Sequence, residues 1–231
     1  MLRIDIISAV PALLESPLSH SIIGRARDNG YVDIHIHDLR DYTEDKHLKI
    51  DDYPFGGGAG MVLTPQPIFS CIESLTGKRD YDEIIFTAPN GQPFEQRDAN
   101  RLSVTKNLII LCGHYKGVDQ RVIDELITQE YSVGDYVLSG GELPAMVMAD
   151  AITRLIPGVL GDAESALSDS FQSGLLEGPV YTRPATFKGK DVPEILRSGD
   201  HKKIEQWKHD QSLNQTKERR PDLFKKFDKN N

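Results

Sequence analysis

The run Asn107-Leu-Ile-Ile-Leu-Cys112 constrains the fold of this chain more than any other stretch. Five apolar residues in succession are too few for an ordinary helix. A strand that shows water neither face must lie inside a sheet covered on both sides. The flanking sequence supplies the rest of that architecture. Leu2 to Ile7 and Val32 to His37 alternate as strands do, and Asp82 to Thr87 reads as another. Helical patterning runs from Pro11 past Pro17 to about Asp28, over 94–103, and from Asp119 to Ile127. Glu142 to Ile156 is an apolar helix with Pro144 in its first turn, stopped by Pro157 and Gly158. Tyr131 to Leu138 is extended, while Pro89-Asn90-Gly91 and Ser139-Gly140-Gly141 read as turns. This alternation predicts an α/β domain with a mainly parallel sheet over residues 1–160. Residues 38–66, rich in Asp, Gly and Pro, read as one loop of a length usually kept for function.

A linker is expected over 161–182, where small and polar residues are interrupted by Leu167 and Phe171. Beyond it, Pro193 to Leu196, His201 to Asn214 and Pro221 to Phe227 read as short helices, giving a small α-helical C-terminal domain over 183–231. Charge divides along the same line. Residues 1–182 hold 14 basic and 27 acidic side chains, a balance of −13, whereas residues 183–231 hold 13 and 8, a balance of +5. An acidic protein is a poor partner for polyanions except where Lys and Arg concentrate. Here Lys202, Lys203, Lys208, Lys217, Arg219, Arg220, Lys225, Lys226 and Lys229 do so. A nucleic-acid patch and a solvated helix face both fit that charge.

With 39% hydrophobic and 27% charged residues, the 231-residue chain has the composition of a soluble globular protein with a substantial core. No apolar run approaches the roughly 18 residues of a membrane span. The N-terminal MLRIDIISAVPALL reads as a first strand and helix and not as a targeting signal. Cys71 and Cys112 are too few for a disulfide framework and too far apart for a CxxC pair, which suits a reducing cytoplasm.

Several short patterns invite chemistry and do not sustain it. Gly56-Gly57-Gly58-Ala59-Gly60 is followed by no GK[ST] and does not fit GxGxxG. His35 and His37 share one face of a strand, but no third ligand stands at a recognisable spacing. Cys112 ends a buried strand with no base beside it, as a packed thiol would. Three glycine-bearing loops follow successive strands: Ala88-Pro-Asn-Gly91, Gly113-His-Tyr-Lys-Gly117 and Val133 to Gly141. Ligands of open α/β sheets bind beyond the carboxyl ends of the strands, and glycines there expose backbone N–H and C=O groups. With Val137 and Leu138 the loops could line a site for an adenine-sized group. They fit ordinary βα turns equally well.

Longer stretches carry a specific likeness. They are Asp45-Lys-His47; Asp51-Asp-Tyr-Pro-Phe-Gly-Gly-Gly58 with Gly60-Met61; Cys112-Gly113; Val133-Gly-Asp-Tyr-Val-Leu-Ser-Gly-Gly-Glu-Leu-Pro144; Gly174-Leu-Leu-Glu-Gly-Pro179 with Tyr181-Thr-Arg-Pro184; and Arg219-Arg-Pro-Asp-Leu223. Together they make the chain resemble, from residue 2 to about 227, the bacterial tRNA (guanine-N1)-methyltransferases of the knotted SPOUT class. The resemblance implies a deep trefoil knot, an exception to the usual rule against threading, whose loops bind S-adenosylmethionine in a bent conformation. Carried over residue by residue, the cofactor site is Pro89, Gly91, Gly113, Tyr115, Val133, Gly134, Asp135, Tyr136, Val137 and Leu138, with Gly140, Gly141 and Pro144 shaping its floor. It also implies a homodimer whose active site straddles both subunits, tRNA as substrate, and N1-methylguanine 3′ to the anticodon as product. Magnesium dependence is implied too, with no ligand placed.

Guanine N1 carries a proton and is a poor nucleophile until it loses it, so such a site needs a base and a positive group near O6. By the same resemblance the base is Asp169 and the cation Arg154. Carboxylates are ordinarily weak bases for so weak an acid; desolvation or stabilisation of O6 must narrow the gap. The chain departs from the family in one loop, where the common Cys-Gly-Arg-Tyr-Glu-Gly becomes Cys112-Gly-His114-Tyr-Lys116-Gly117. A catalytically silent knotted tRNA-binding protein is the alternative, and its mark would be loss of Asp169, Arg154 or the loop glycines. All are present.

Overall fold

A computed structural model describes residues 1–161 and 169–230, and the chain divides into two compact units, Met1–Gly161 and Asp162–Asn231. Leu167, expected in the linker, lies outside the described residues. In chain order the first unit runs β1 (Leu2–Ser8), α1 (Ala12–Glu15), α2 (Ser21–Asp28), β2 (Val32–Asp38), β3 (Asp51–Asp52), β4 (Val62–Leu63), α3 (Pro65–Thr76), β5 (Glu83–Pro93), α4 (Gln96–Leu102), β6 (Asn107–Cys112), α5 (Gln120–Leu126), β7 (Gln129–Ser132) and α6 (Glu142–Thr153).

The sheet order is β2-β1-β6-β5-β7, with every pair parallel. The apolar run thus becomes the central strand, as its composition demands. Its residues alternate between two cores. Leu108, Ile110 and Cys112 pack with Ile4 and Ile6 of β1 and with Ala145, Met148, Ala149 and Ile152 of α6. Ile109 and Leu111 pack with Ile7 and with Ile68, Cys71, Ile72 and Leu75 of α3 on the other side. Burying each such Leu or Ile stabilises the fold by roughly 1.5–3 kcal/mol before chain entropy is charged against it. The α6 positions fall at i, i+3, i+4 and i+7, one helical stripe turned to the sheet.

Four expectations need correction. The helical stretch from Pro11 to Asp28 is broken into α1, a 3₁₀ turn at Pro17–Ser19 and α2; Pro17 lacks the N–H that a continuous helix requires. Pro89-Asn90-Gly91 does not end its strand. β5 continues to Pro93, and Tyr131 pairs with both Thr87 and Gln92, so residues 88–91 bulge out of an otherwise continuous strand. The extended segment after Tyr131 stops at Ser132, whose hydroxyl turns the chain by hydrogen-bonding Gly134. The long loop over 38–66 contains a 3₁₀ turn at Leu39–Tyr42 and the antiparallel pair β3–β4. In addition α3 fills a span to which the sequence analysis assigns nothing.

In the second unit, β8 (Thr186–Phe187) and β9 (Lys190–Asp191) form a small hairpin, followed by a 3₁₀ turn at Glu194–Arg197, α7 (His201–Arg219) and α8 (Pro221–Asn230). The Gly174–Pro179 stretch lies on α7: Thr216 Oγ1 accepts from Leu176 N at 2.8 Å, and Gln215 Nε2 donates to Glu177 O at 2.9 Å. Leu175 is buried, and a side chain at Gly178 would come 3.1 Å from Gln211 Cβ.

Candidate active site

The 88–91 bulge of β5 and the loops that leave the carboxyl ends of β6 and β7 lie side by side, where an open α/β sheet gathers ligands. Between them lies a cleft of about 300 Å³. Of the residues expected to hold the cofactor, Pro89, Gly113, Tyr115, Val133, Gly134, Tyr136, Val137, Leu138, Gly140 and Pro144 line it. Gly91, Asp135 and Gly141 do not. Asp135 is exposed beside the cleft. Gly91 faces β7, where a Cβ would come 2.6 Å from Tyr131 N. Gly141 lies under the floor, its N–H donating to Gly113 O at 2.7 Å and its Cα packed against Thr87.

The loops are tied to the rest of the unit. Glu142 opens α6 almost wholly buried, and its carboxylate accepts from Ser8 Oγ at 2.7 Å, so the chain leaving edge strand β7 returns to the end of β1. The 113–117 loop is held from the other side: Lys116 N donates to Met61 O at 2.9 Å, and Leu63 N donates to Gly117 O at 3.0 Å. The Lys116 stem crosses Gly60, where a side chain would meet its Cγ at 2.7 Å. The glycine-rich loop after β3 is thus docked on the cleft, and it presents exposed Tyr53 and Phe55.

Burial pushes the Tyr115 hydroxyl upward, and the charge of Asp51 adds to it. Burial likewise lifts the Cys112 thiol far above its ordinary range, with Glu142 contributing, so this cysteine is packing and not a nucleophile.

Arg154, the C-terminal cap of α6, does not line the cleft. It borders a second, apolar groove with Leu143, Val147, Pro17 and Leu18. Val133, Tyr136, Leu138 and Pro144 border both spaces and form a common wall. Asp169 belongs to the second unit, where its backbone carbonyl accepts from Gln172 N at 3.3 Å. Among the described residues no three of His, Cys, Asp and Glu gather as metal ligands. The cleft carries His114 and Lys116 instead. A lysine ammonium and an imidazole do not fit the oxygen ligands that the expected Mg²⁺ takes.

Sequence reasoning missed two polar constellations. One is the Ser8–Glu142–His114 group at the cleft floor, whose members are 134 and 28 positions apart and leave no local pattern. The other is on the sheet itself: Asp5 of β1, fully buried, lies 2.7 Å from His37 Nε2 and 2.7 Å from Arg3 Nε, and accepts from Tyr81 at 2.8 Å. Burial works against the Asp5 charge, but the hydrogen bonds from His37, Arg3 and Tyr81 prevail and hold its carboxyl far below the usual range.

The family model described as tRNA (Guanine-1)-methyltransferase TrmD matches residues 2–226. A tRNA (guanine-N(1)-)-methyltransferase of Bacteroides fragilis is 60% identical over 223 residues, which cover 96% of this chain and 99% of that protein. The protein of that name from Flavobacterium johnsoniae is 59% identical over the same shares. One from Cytophaga hutchinsonii is 57% identical over 228 residues, 99% of this chain and 97% of its own. Glycine-bearing segments on three adjacent strands and a match over almost the whole length lead to one assignment: this chain belongs to the TrmD family of tRNA (guanine-1)-methyltransferases.

Proposed function

We propose that this protein transfers the methyl group of S-adenosylmethionine to N1 of the guanine at position 37 of tRNA, 3′-adjacent to the anticodon, and so protects the reading frame. The observation that carries this reading is the cleft between the three loops, in a chain matched by its family from residue 2 to 226. Pro89, Val137, Leu138 and Pro144 offer apolar faces to an adenine ring, and the glycines at 113, 134 and 140 let the backbone approach it closely. When bound, the cofactor supplies an electrophilic methyl group on a sulfonium.

Asp169 takes the proton from guanine N1 and leaves the ring a nucleophile. Arg154 stabilises the negative charge that spreads to O6. Both roles come from the resemblance and the chemistry it requires. The basic residues after 183 hold tRNA phosphates, which fix register without reading sequence. That assigns 1–160 to the cofactor and 183–231 to tRNA, with 161–182 as a linker whose Gly174–Pro179 stretch is anchored on α7.

A trefoil knot and a homodimer belong to the same proposal. The return of the chain from β7, past Thr87 and Gly113, to Ser8 supports the knot. Leu143 and Val147, one turn apart on α6, are each about half exposed, as is nearby Leu13; an apolar face of this kind suits a second copy of the chain. No helix among the described residues is long and apolar enough to cross a membrane, and we place the enzyme in the cytoplasm with its substrate.

The test is methyl transfer from labelled S-adenosylmethionine to unmodified transcripts, with and without guanine at position 37, by wild type and Asp169→Ala. Labelling that requires the guanine, and an inactive variant that still binds cofactor, is the expected result. Labelling of both transcripts would refute the target, and an active variant would refute the base.

A further inference from the structure

At the floor of the cleft a buried imidazole nitrogen without a hydrogen bond faces a buried carboxylate. Glu142 is 1% exposed, and one of its carboxylate oxygens accepts from Ser8 Oγ. The other, Oε2, lies 3.9 Å from Nδ1 of His114. That nitrogen is itself buried and hydrogen-bonds nothing among the described residues. A buried acceptor beside a buried donor at this distance gains a charge-assisted bond if the two close by about 1 Å. Left open, the buried His114 nitrogen bears a desolvation cost.

The surroundings are shaped for that closure. Gly140 pairs with His114 as an isolated antiparallel bridge, and a side chain at 140 would overlap Glu142 Oε2 and come 2.7 Å from His114 Nδ1. Only glycine leaves room for imidazole and carboxylate to meet. The imidazole also lines the cleft and stands edge-on to Tyr115, with ring centroids 4.6 Å apart. A rotation of His114 would therefore be felt by the surface that faces the ligand. One bond would fasten the 113–117 loop to the start of α6 and, through Ser8, to β1.

We propose that His114 is a positioning residue: when S-adenosylmethionine fills the cleft, its Nδ1–H donates to Glu142 and latches the 113–117 loop against the 139–141 loop. The inference rests on the cleft being the cofactor site. It concerns His114, which stands where the family commonly has arginine, and it gives the departure a task of its own.

The experiment uses the full chain labelled with ¹⁵N-histidine, and titration calorimetry with S-adenosylmethionine. On saturation, the Nδ1 resonance of His114, identified by its absence from His114→Ala, moves to that of a protonated, hydrogen-bonded nitrogen. His114→Ala weakens cofactor binding on the order of tenfold, the value of one charge-assisted bond. His114→Asn, whose amide nitrogen stands near the Nδ1 position, recovers most of the loss. Glu142→Gln removes the Nδ1 shift, with thermal unfolding showing that the variant is folded. Wild-type binding with an unmoved Nδ1, or equal affinity in His114→Ala, overturns the latch and leaves the cofactor site standing. No binding by folded wild type overturns both.

Discussion

Gly141 donates its N–H to the carbonyl of Gly113 across 2.7 Å, joining the loop that enters α6 to the loop that leaves β6. A Cβ at 141 would come 2.6 Å from Gly113 N and 2.8 Å from Cys112 Cα, and backbone atoms in a central strand cannot step aside. Gly141→Ala is therefore expected to cost about 2–3 kcal/mol, typical of overpacking, and to abolish cofactor binding. Urea denaturation and calorimetry check the two effects.

Asp5 sets an acid limit on stability. Its folded carboxyl lies well below a free aspartate, near ~3.9, so the stabilisation is complete above about pH 4 and falls away as pH drops through the folded value. Asp5→Asn leaves Arg3 only the more exposed Asp33 as counter-charge, removes the carboxylate that His37 and Tyr81 hydrogen-bond, and should lose about 3 kcal/mol at pH 7. The gap between variant and wild type in urea should narrow steadily below pH 4.

Charge on the exposed stripe of α6 tests the proposed dimer. Leu143→Glu with Val147→Lys alters residues outside both cores. Sedimentation should show monomers with an unchanged far-UV spectrum, and methyl transfer should fall more than a hundredfold, as the proposed sharing of the site between two copies requires.

Lys116 crosses Gly60 with its stem, while its ammonium is not assigned to the reaction. Wild type is accordingly expected to be active, and Lys116→Glu to stay within a few-fold of it in kcat. A sharp rise in turnover would mean that the loop chemistry had been lost in this chain.

What the sequence discloses follows the range of the forces involved. The all-apolar β6 and the 3.6-residue stripe of α6 are local patterns with one reading each. Ile68, Cys71, Ile72 and Leu75 of α3 form an equally clear stripe, which the Pro and Gly before it overshadow. Pro89-Asn90-Gly91 has the chemistry of a turn, but whether a turn ends a strand or interrupts it depends on Tyr131, 40 positions from Gly91. Ser8 with Glu142, and Asp5 with Tyr81, are meetings made by sheet order alone. The cleft loops were visible as glycines; the wall between the cleft and Arg154 was not, because it is a property of two faces of one folded segment.

Because Tyr131 pairs with Thr87 on one side of the 88–91 bulge and with Gln92 on the other, both ends of that excursion are moored to a single residue. Such a lip has no hinge: its feet cannot part without unzipping β5 from β7. Any widening or narrowing of the cleft's aperture must then be made by the opposing rims at 113–117 and 133–141, working against a fixed jamb.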